Sequence, residues 1–554
     1  MSILHNRVPS LRSRAHSTHP PVGDIPLWKL YPLFFAAVYL SHLTLLRLPY
    51  FWDEAGYYIP AAWDFFRTGT LIPVTTVSNA HPPLPSILLA AWWHLSGFVV
   101  SGTRTLVCIV SAAALLGVYK LARNLTNTAV ATVVTVLTAT YPIWFAQSTL
   151  AHADIFAAAF TLWGLAAYLE PDPTRTSILQ SRTLAAILFS LAALSKETAI
   201  VTPAALALWE ATLWLKSRRD PAERIQHAAW TVALLLPILP LTAWYAYHYH
   251  RTGFIFGNPE FLRYNATANF DLHRIALCLY HRLLHLTAHM NMFVPVVCTV
   301  AVLFIPSSTT LNLQKRALKA IAVILLANWI AFSILGGALL TRYLLPMYPL
   351  VLLLCVATWR SRLRQWWLLA VLSAAAFLAG IWINPPYAFA PEDNLTYRDM
   401  IVLHLQAVHL IEHRYPQATV LTAWPATSEL SRPEIGYTRH PIKTVSVENF
   451  SIEHMQKAAA DPGAYDTALI FSTKWEPPPN HLNLSRRNQP ADAKYFDFHH
   501  DLQPEEAAAL LHGEIIWQAR RKAEWAAVLR FPRIVDASLT HRKPLLIRES
   551  SKLR

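Results

Sequence analysis

The sequence predicts an all-α polytopic membrane protein of about 11–13 transmembrane helices, followed by a C-terminal α/β domain. Three observations predict it. First, 54% of the 554 residues are hydrophobic and 14% are charged, whereas a soluble globular chain has about 25% charged residues. So few polar groups cannot cover a water-exposed surface. Second, the apolar residues gather in runs close to the ~20 residues that cross a bilayer. Third, the net charge of +14 is unevenly placed. Residues 1–383 hold 27 Lys and Arg against 13 Asp and Glu, and residues 384–554 hold 20 of each. A nucleic-acid binder would carry a basic soluble face. Here the excess lies among the apolar runs, as the positive-inside rule requires. Disorder is excluded by the composition, and a collagen-like repeat by only 15 Gly. Cys108, Cys278, Cys298 and Cys355 form no C-x-x-C pair, which argues against a disulfide framework or zinc cluster.

Residues 1–27 form a basic N-terminal segment with Arg7, Arg12 and Arg14. The membrane domain is expected over 28–384. Its candidate spans are 28–46, 101–121, 128–148, 150–170, 183–195, 198–215, 228–248, 291–306, 320–337, 341–358 and 366–384. The first has no small-residue cleavage site at its end, so it reads as an uncleaved helix. The stretch 82–100 is placed as an interfacial or re-entrant helix. Only then do the clusters Lys120/Arg123, Arg175/Arg182, Lys216/Arg218/Arg219/Arg224, Lys315/Arg316/Lys319 and Arg360/Arg362/Arg364 share one side. With the N-terminus, that side holds 18 of the 27 basic residues. This gives about 11 crossings, a cytoplasmic N-terminus and residues 385–554 on the opposite side.

The first outer loop, 47–100, contains the amphipathic aromatic stretch FWDEAGYYIPAAWDFFRTG, which suits the headgroup level. The segment 273–290 has Leu, Ile and His at helical spacing and reads as interfacial or as an extra half-span. Within 385–554, a helix near 398–414 precedes strands near 418–424, 443–448 and 466–473, a polar helix near 452–460 and a hairpin near 513–531. This alternation predicts a small α/β domain. The tail after Phe531 reads as loosely ordered.

The candidate chemistry lies at the outer rim. Asp53 and Glu54 follow the first span, where desolvation makes a carboxylate a better base; acids also simply favour a helix N-terminus. One catalytic and one supporting role is the natural division. His81, before Pro82-Pro83, has the donors to meet a phosphate or sugar oxygen, or caps the helix that the prolines open. Asp154 sits at the outer end of a span, where an acid is costly; it is either functional or paired with a Lys or Arg. Lys196 suits a lipid phosphate, or pairs locally with Glu197. Arg342 offers a fork for a phosphate, or snorkels to anionic lipid. Glu210 reads as structural, and Asp64 as part of a solvated face. No H-E-x-x-H occurs among the 24 His, so no metal site is assigned.

The series FWDEAGYY, NAHPPL, AHAD opening a span, LSKET and RYLLPMYP resembles the polytopic membrane glycosyltransferases of the C-type fold. It is similar above all to the family 39 group of protein O-mannosyltransferases and lipid A aminoarabinose transferases, over roughly residues 28–358. The resemblance implies an inverting transfer of a sugar from a polyprenyl-phosphate-linked donor to a lipid, glycan or protein acceptor hydroxyl. It places the reaction on the outer face of the cytoplasmic (inner) membrane. It implies Asp53 as the base, Glu54 as its neighbour, His81 as the histidine of the His-Pro-Pro motif, and Asp154 as the acid opening the later span. Lys196 and Arg342 match basic positions near the donor phosphate. Relatives often have Arg shortly before the span acid, where this chain has Ala151-His152-Ala153. Some members use a divalent cation and others do not, so the resemblance implies no certain cofactor and leaves a divalent cation possible. The only other partners expected are membrane lipids, with no nucleic acid. A transporter or flippase would place ionisable groups at mid-span and show internal repeats. A non-catalytic scaffold would not need the Asp53-Glu54 pair.

Overall fold

The computed structural model describes residues 26–170, 178–257, 270–307, 313–335, 339–478, 481–484, 489–496 and 499–531. The N-terminal cluster Arg7/Arg12/Arg14, Arg175 and the tail after Phe531 lie outside the described residues. The protein is a multi-pass helical membrane protein with a small C-terminal sheet. Among the described residues, six helices are long and apolar enough to cross a membrane: Val100–Leu125, Ile178–Ser195, Glu197–Lys216, Pro221–Thr252, Lys315–Ile334 and Thr341–Arg362. Four shorter apolar helices accompany them: Leu27–Ser41, Thr128–Thr140, Ala153–Tyr168 and Trp366–Trp382. Leu272–Asn291 and Phe293–Leu303 form one further pair, bent by 99°. The break falls at Met290 and Asn291, whose φ values of 48° and 68° end the first helix. Every apolar run expected from the sequence has its helix. The run 128–148 is two helices, because Pro142 removes a backbone donor and opens Pro142–Gln147.

Val100–Leu125 and Thr341–Arg362 are central, with 67% and 72% of their apolar windows buried. Ile178–Ser195, Glu197–Lys216 and Pro221–Thr252 are only about a third buried, leaving the rest of their apolar surface for lipid. Small side chains let the central helices approach closely. Ala153–Tyr168 carries Ala157, Ala158, Ala159 and Gly164. A Cβ on Gly164 would stand 2.9 Å from the Phe189 ring. The helix over the stretch 82–100 is Leu84–Ser96, opened by proline and capped by Gly97. Thirteen residues span only about 20 Å, too short to cross.

The C-terminal lobe holds a five-stranded sheet of β1 (Thr419–Ala423), β2 (Lys443–Val447), β3 (Thr467–Phe471), β4 (Glu514–Arg521) and β5 (Glu524–Arg530). Its spatial order is β2-β1-β3-β5-β4. β1 runs parallel to both β2 and β3, whereas β5 is antiparallel to β3 and β4. β3 is buried throughout, as its uninterrupted apolar run requires. The helix Thr396–Arg414 covers β5 and β4.

This lobe rests on the first loop. The Tyr50 amide donates to the Ile435 carbonyl at 3.2 Å, and the Arg432 guanidinium donates to the Thr75 carbonyl. Asp64 is a correction to the sequence reading: it is buried, not on a solvated face. Its Oδ2 accepts from the amides of Val74 and Thr75 at 2.7 and 2.8 Å, folding the loop back on itself.

Candidate active site

Asp53 and Glu54 sit at the start of a single wide helical turn, Glu54–Tyr58, that feeds the helix Ile59–Thr68. Adjacent positions on a helical turn point in different directions, and the two acids have different partners. Glu54 is fully buried. It accepts from the amides of Phe51 at 2.8 Å and Ala151 at 2.6 Å. It also pairs with Arg104 through both carboxylate oxygens, at 3.3 and 3.2 Å. Arg104 donates in addition to the carbonyls of Leu48, Pro49 and Thr149 at 3.0, 2.6 and 2.7 Å. This lock ties the first loop to the helix Val100–Leu125 and to the corner before Ala153. Glu54 is thus held by Arg104 and two backbone amides, apart from the partners of Asp53.

Asp53 instead meets Arg342, whose guanidinium is the hub of a second cluster. The Arg342 Nη1 donates to Glu392, and Nε lies 3.2 Å from Asp154 Oδ2. The other oxygen of Asp154 accepts from Lys196 Nζ at 2.5 Å. That ammonium also stands 3.9 Å from the centre of the Tyr343 ring. Asp154, Glu392, Lys196 and Arg342 are buried, while the Asp53 side chain keeps 20% of its surface exposed. Four separate parts of the sequence thus deliver Asp53, Asp154, Lys196 and Arg342 to one place. His81 lies beside the cluster. Its Nδ1 is 2.8 Å from Glu197 Oε2, and its ring stacks on Tyr58 at 5.9 Å. Lys196 and Glu197 do not pair with each other: Lys196 goes to Asp154 and Glu197 to His81. His152, between Ala151 and Ala153, is buried and bonds Gln147 through Nδ1 at 2.9 Å.

A narrow cavity of about 20 Å³ opens beside the cluster. It is lined by Asp154, Lys196, Thr198, Asn328, Arg342 and Tyr343, with small apolar residues beyond them. Asp53 stands outside that lining.

Glu392, Tyr58 and Tyr343 complete the site and were not singled out from the sequence. Glu392 follows the last span in APEDNLTY, and Asp53 follows the first in FWDEAGYY. A pair of acids immediately beyond an apolar run is the signal common to both. Its neighbour Asp393 bonds His289 Nε2 at 2.7 Å and accepts from the Thr341 hydroxyl, fastening this turn to the 99° bend. Burial, with Asp53, Asp393 and Asp154 nearby, pushes the Glu392 carboxyl up to about 8 against the pull of Arg342. Burial also raises the Tyr58 phenol well above its ordinary value, with Asp154 and Asp53 adding to the effect. Glu210 lies in a separate cluster with His227 at 2.5 Å and Arg316 at 2.9 Å, joining three helices.

The residues do not fit a divalent cation. The carboxylates of Asp53, Asp154 and Glu392 converge on the guanidinium of Arg342, a cation already in that position. Among the described residues, no group of three or more His, Cys, Asp or Glu is arranged to hold a metal.

Residues 80–244 match the family described as dolichyl-phosphate-mannose-protein mannosyltransferase. No curated protein sequence is significantly similar to the chain. Among solved structures, ArnT from Cupriavidus metallidurans in the apo state superposes with a TM-score of 0.56 at 12% identity, covering 91% of this chain and 98% of that one. The same protein bound to undecaprenyl phosphate gives 0.53 at 13% identity, over 90% and 98%. The Archaeoglobus fulgidus oligosaccharyltransferase gives 0.46 at 11% identity, over 80% and 68%. The chain has the C-type glycosyltransferase fold, and the ArnT likeness spans nearly the whole of both chains.

Proposed function

We propose that this protein is an inverting glycosyltransferase that moves a sugar from a polyprenyl-phosphate carrier to an acceptor hydroxyl on the outer face of the cytoplasmic membrane. The observation that carries the reading is the Arg342 hub, which gathers Asp53 and Asp154, and through Asp154 the ammonium of Lys196, beside the cavity. The fold supports it, and a similarly folded protein binds undecaprenyl phosphate. The placement of basic residues in the sequence supports the membrane face.

The chemistry follows from the arrangement. The donor phosphate enters on the pocket side and meets Lys196. Each guanidinium nitrogen that Arg342 directs outward already faces a carboxylate, so a phosphate reaches Arg342 by displacing one of them. Asp53 accepts the proton of the acceptor hydroxyl. The freed oxygen attacks the anomeric carbon from the opposite side. The bond from that carbon to the phosphate oxygen breaks, and its electron pair leaves on the lipid phosphate. Once the phosphate has displaced a carboxylate, Lys196 and Arg342 stand where this charge grows and stabilise it. Their burial keeps water away from the reacting carbon.

The test is transfer of radiolabelled sugar from undecaprenyl-phosphate-linked hexoses and pentoses, in membranes containing the full chain. Asp53→Asn is expected to lower transfer by about 10²–10⁴-fold, the usual contribution of a general base. Full transfer by this variant would remove Asp53 from the mechanism.

A further inference from the structure

The C-terminal lobe meets the membrane body in two different ways. At Gly56 the contact is closed: a Cβ there would lie 2.5 Å from the Trp424 indole nitrogen, so the ring occupies the space of a missing side chain. Beyond the outer end of the last apolar helix, Trp366–Trp382, the contact is open. A cavity of about 360 Å³ lies there. Among the described residues its polar lining is Asn384, Trp475, His481 and Lys522, and the rest is four prolines and Leu482. Trp475 is buried, packs on Phe389 at 5.0 Å, and keeps an indole N–H with no partner. Asn384 Oδ1 accepts from Asn394 Nδ2 at 2.9 Å and from the Thr396 hydroxyl at 3.2 Å, which fixes the way its amide faces. The Asn384 Nδ2 is buried and also has no partner. A buried donor left unmatched is costly, and two of them belong to the lining of one cavity. Lys522, in the turn between β4 and β5, donates from Nζ to the Trp382 carbonyl at 2.7 Å. Asp399 stands 3.9 Å from that ammonium, but Arg398 at 3.1 Å and Arg521 at 3.8 Å share the same carboxylate. Three cations thus meet one acid.

We propose that this cavity binds the phosphate headgroup of an anionic phospholipid. The Trp475 indole N–H, the Asn384 amide N–H groups and the Lys522 ammonium are donors, and only an acceptor satisfies them. The surplus of positive charge around Asp399 selects an acceptor that is an anion. A neutral saccharide brings as many donors as acceptors and leaves that surplus unmatched. The position selects a lipid over a free anion. Trp382 and Ile383, where the helix ends, are 50% and 68% exposed, and Leu482 and Leu484 are 68% and 60% exposed. The Leu484 amide donates to the Pro386 carbonyl at 2.6 Å, which holds these leucines to the same segment. An exposed apolar rim with a Trp at the end of a span lies at headgroup level, and a basic residue there draws anionic lipid. The prolines and Leu482 form an apolar wall for the glycerol and the first acyl carbons. The site shares no residue with the Arg342 hub, but Asn384 lies on the segment that leads from the last helix to Glu392.

The test uses the full chain, purified in a neutral detergent and titrated with dihexanoyl phosphatidylglycerol, dihexanoyl phosphatidylcholine or inorganic phosphate. It reads the unfolding temperature, which a ligand of the folded state raises. Phosphatidylglycerol is expected to raise it saturably. Phosphatidylcholine, whose choline cancels the phosphate charge, and inorganic phosphate are expected to leave it unchanged. Lys522→Gln and Trp475→Phe are each expected to raise the phosphatidylglycerol concentration at half effect at least about fivefold. Lys457→Gln makes the same charge change on an exposed helix of the lobe and is expected to stay within about twofold of wild type. An equal response to phosphatidylcholine reduces the cavity to an apolar groove, and an equal response to inorganic phosphate makes the ligand a free anion. Either result overturns the proposal, as does no response to phosphatidylglycerol, or Lys522→Gln titrating like Lys457→Gln. Should Lys522→Gln be unfolded before lipid is added, Trp475→Phe decides, because it keeps a ring against Phe389. Its titrating like wild type overturns the proposal.

Discussion

Asp53 and Glu54 show how far one peptide bond can separate two identical chemistries. Asp53 touches the Arg342 hub and keeps part of its surface open; Glu54 is sealed against Arg104 and two backbone amides. Glu54→Gln keeps the shape but leaves the Arg104 charge buried without its partner, at a cost of about 3–5 kcal/mol. The expected outcome is a lowered unfolding temperature of the solubilised chain, with transfer lost in proportion to the folded fraction. A variant that melts like wild type yet transfers nothing would move Glu54 into the chemistry. Adjacent acids were visible in the sequence, and so was the need to divide their roles. What the sequence did not reveal is which partner each finds, because Arg104 and Arg342 come from spans 50 and 289 residues away.

At the scale of elements, hydrophobic runs were a dependable guide. Each expected span has its helix, and the expected strands near 418–424, 443–448 and 466–473 correspond to β1, β2 and β3. The short turn Pro391–Asp393 escaped notice because three residues carry no periodicity, yet it supplies Glu392 to the hub. Glu524, which opens β5, was equally silent. It is wholly buried, accepts from the Ser472 hydroxyl just beyond β3, and is pushed up to about 8 chiefly by burial. Below about pH 4.5, its ordinary value, this carboxyl is protonated whether the chain is folded or not. Between there and about pH 8 the folded chain holds a proton that the unfolded chain has released, so stability falls as pH rises through this window. Glu524→Gln is expected to flatten that decline in unfolding temperatures measured from pH 5 to 8.5.

For the whole molecule, we read the uneven charge as a record of topology. The 18 basic residues in short loops on one side fix a testable orientation. In a cysteine-free background, Asp461→Cys in the C-terminal lobe is expected to react with a membrane-impermeant maleimide in intact cells. Lys216→Cys is expected to react only after permeabilisation; both positions are exposed. The reverse pattern would invert the chain and move the proposed reaction to the cytoplasm. The sequence also placed Asp53, His81, Asp154, Lys196 and Arg342 on one face, which is why their gathering could be anticipated. The contribution of the C-terminal lobe could not, because Trp424 lies beyond the last span and gains its meaning only from Gly56 beneath it.

That single missing methyl group bears on how such a protein can diversify. The lobe is keyed to the membrane body by Gly56 under Trp424, by Tyr50 against Ile435 and by Thr75 against Arg432. It is therefore not a detachable module. A chimera that imports another lobe must import residues 50–57 and 75 with it, and a lineage that drifts at one segment must drift at the other in step.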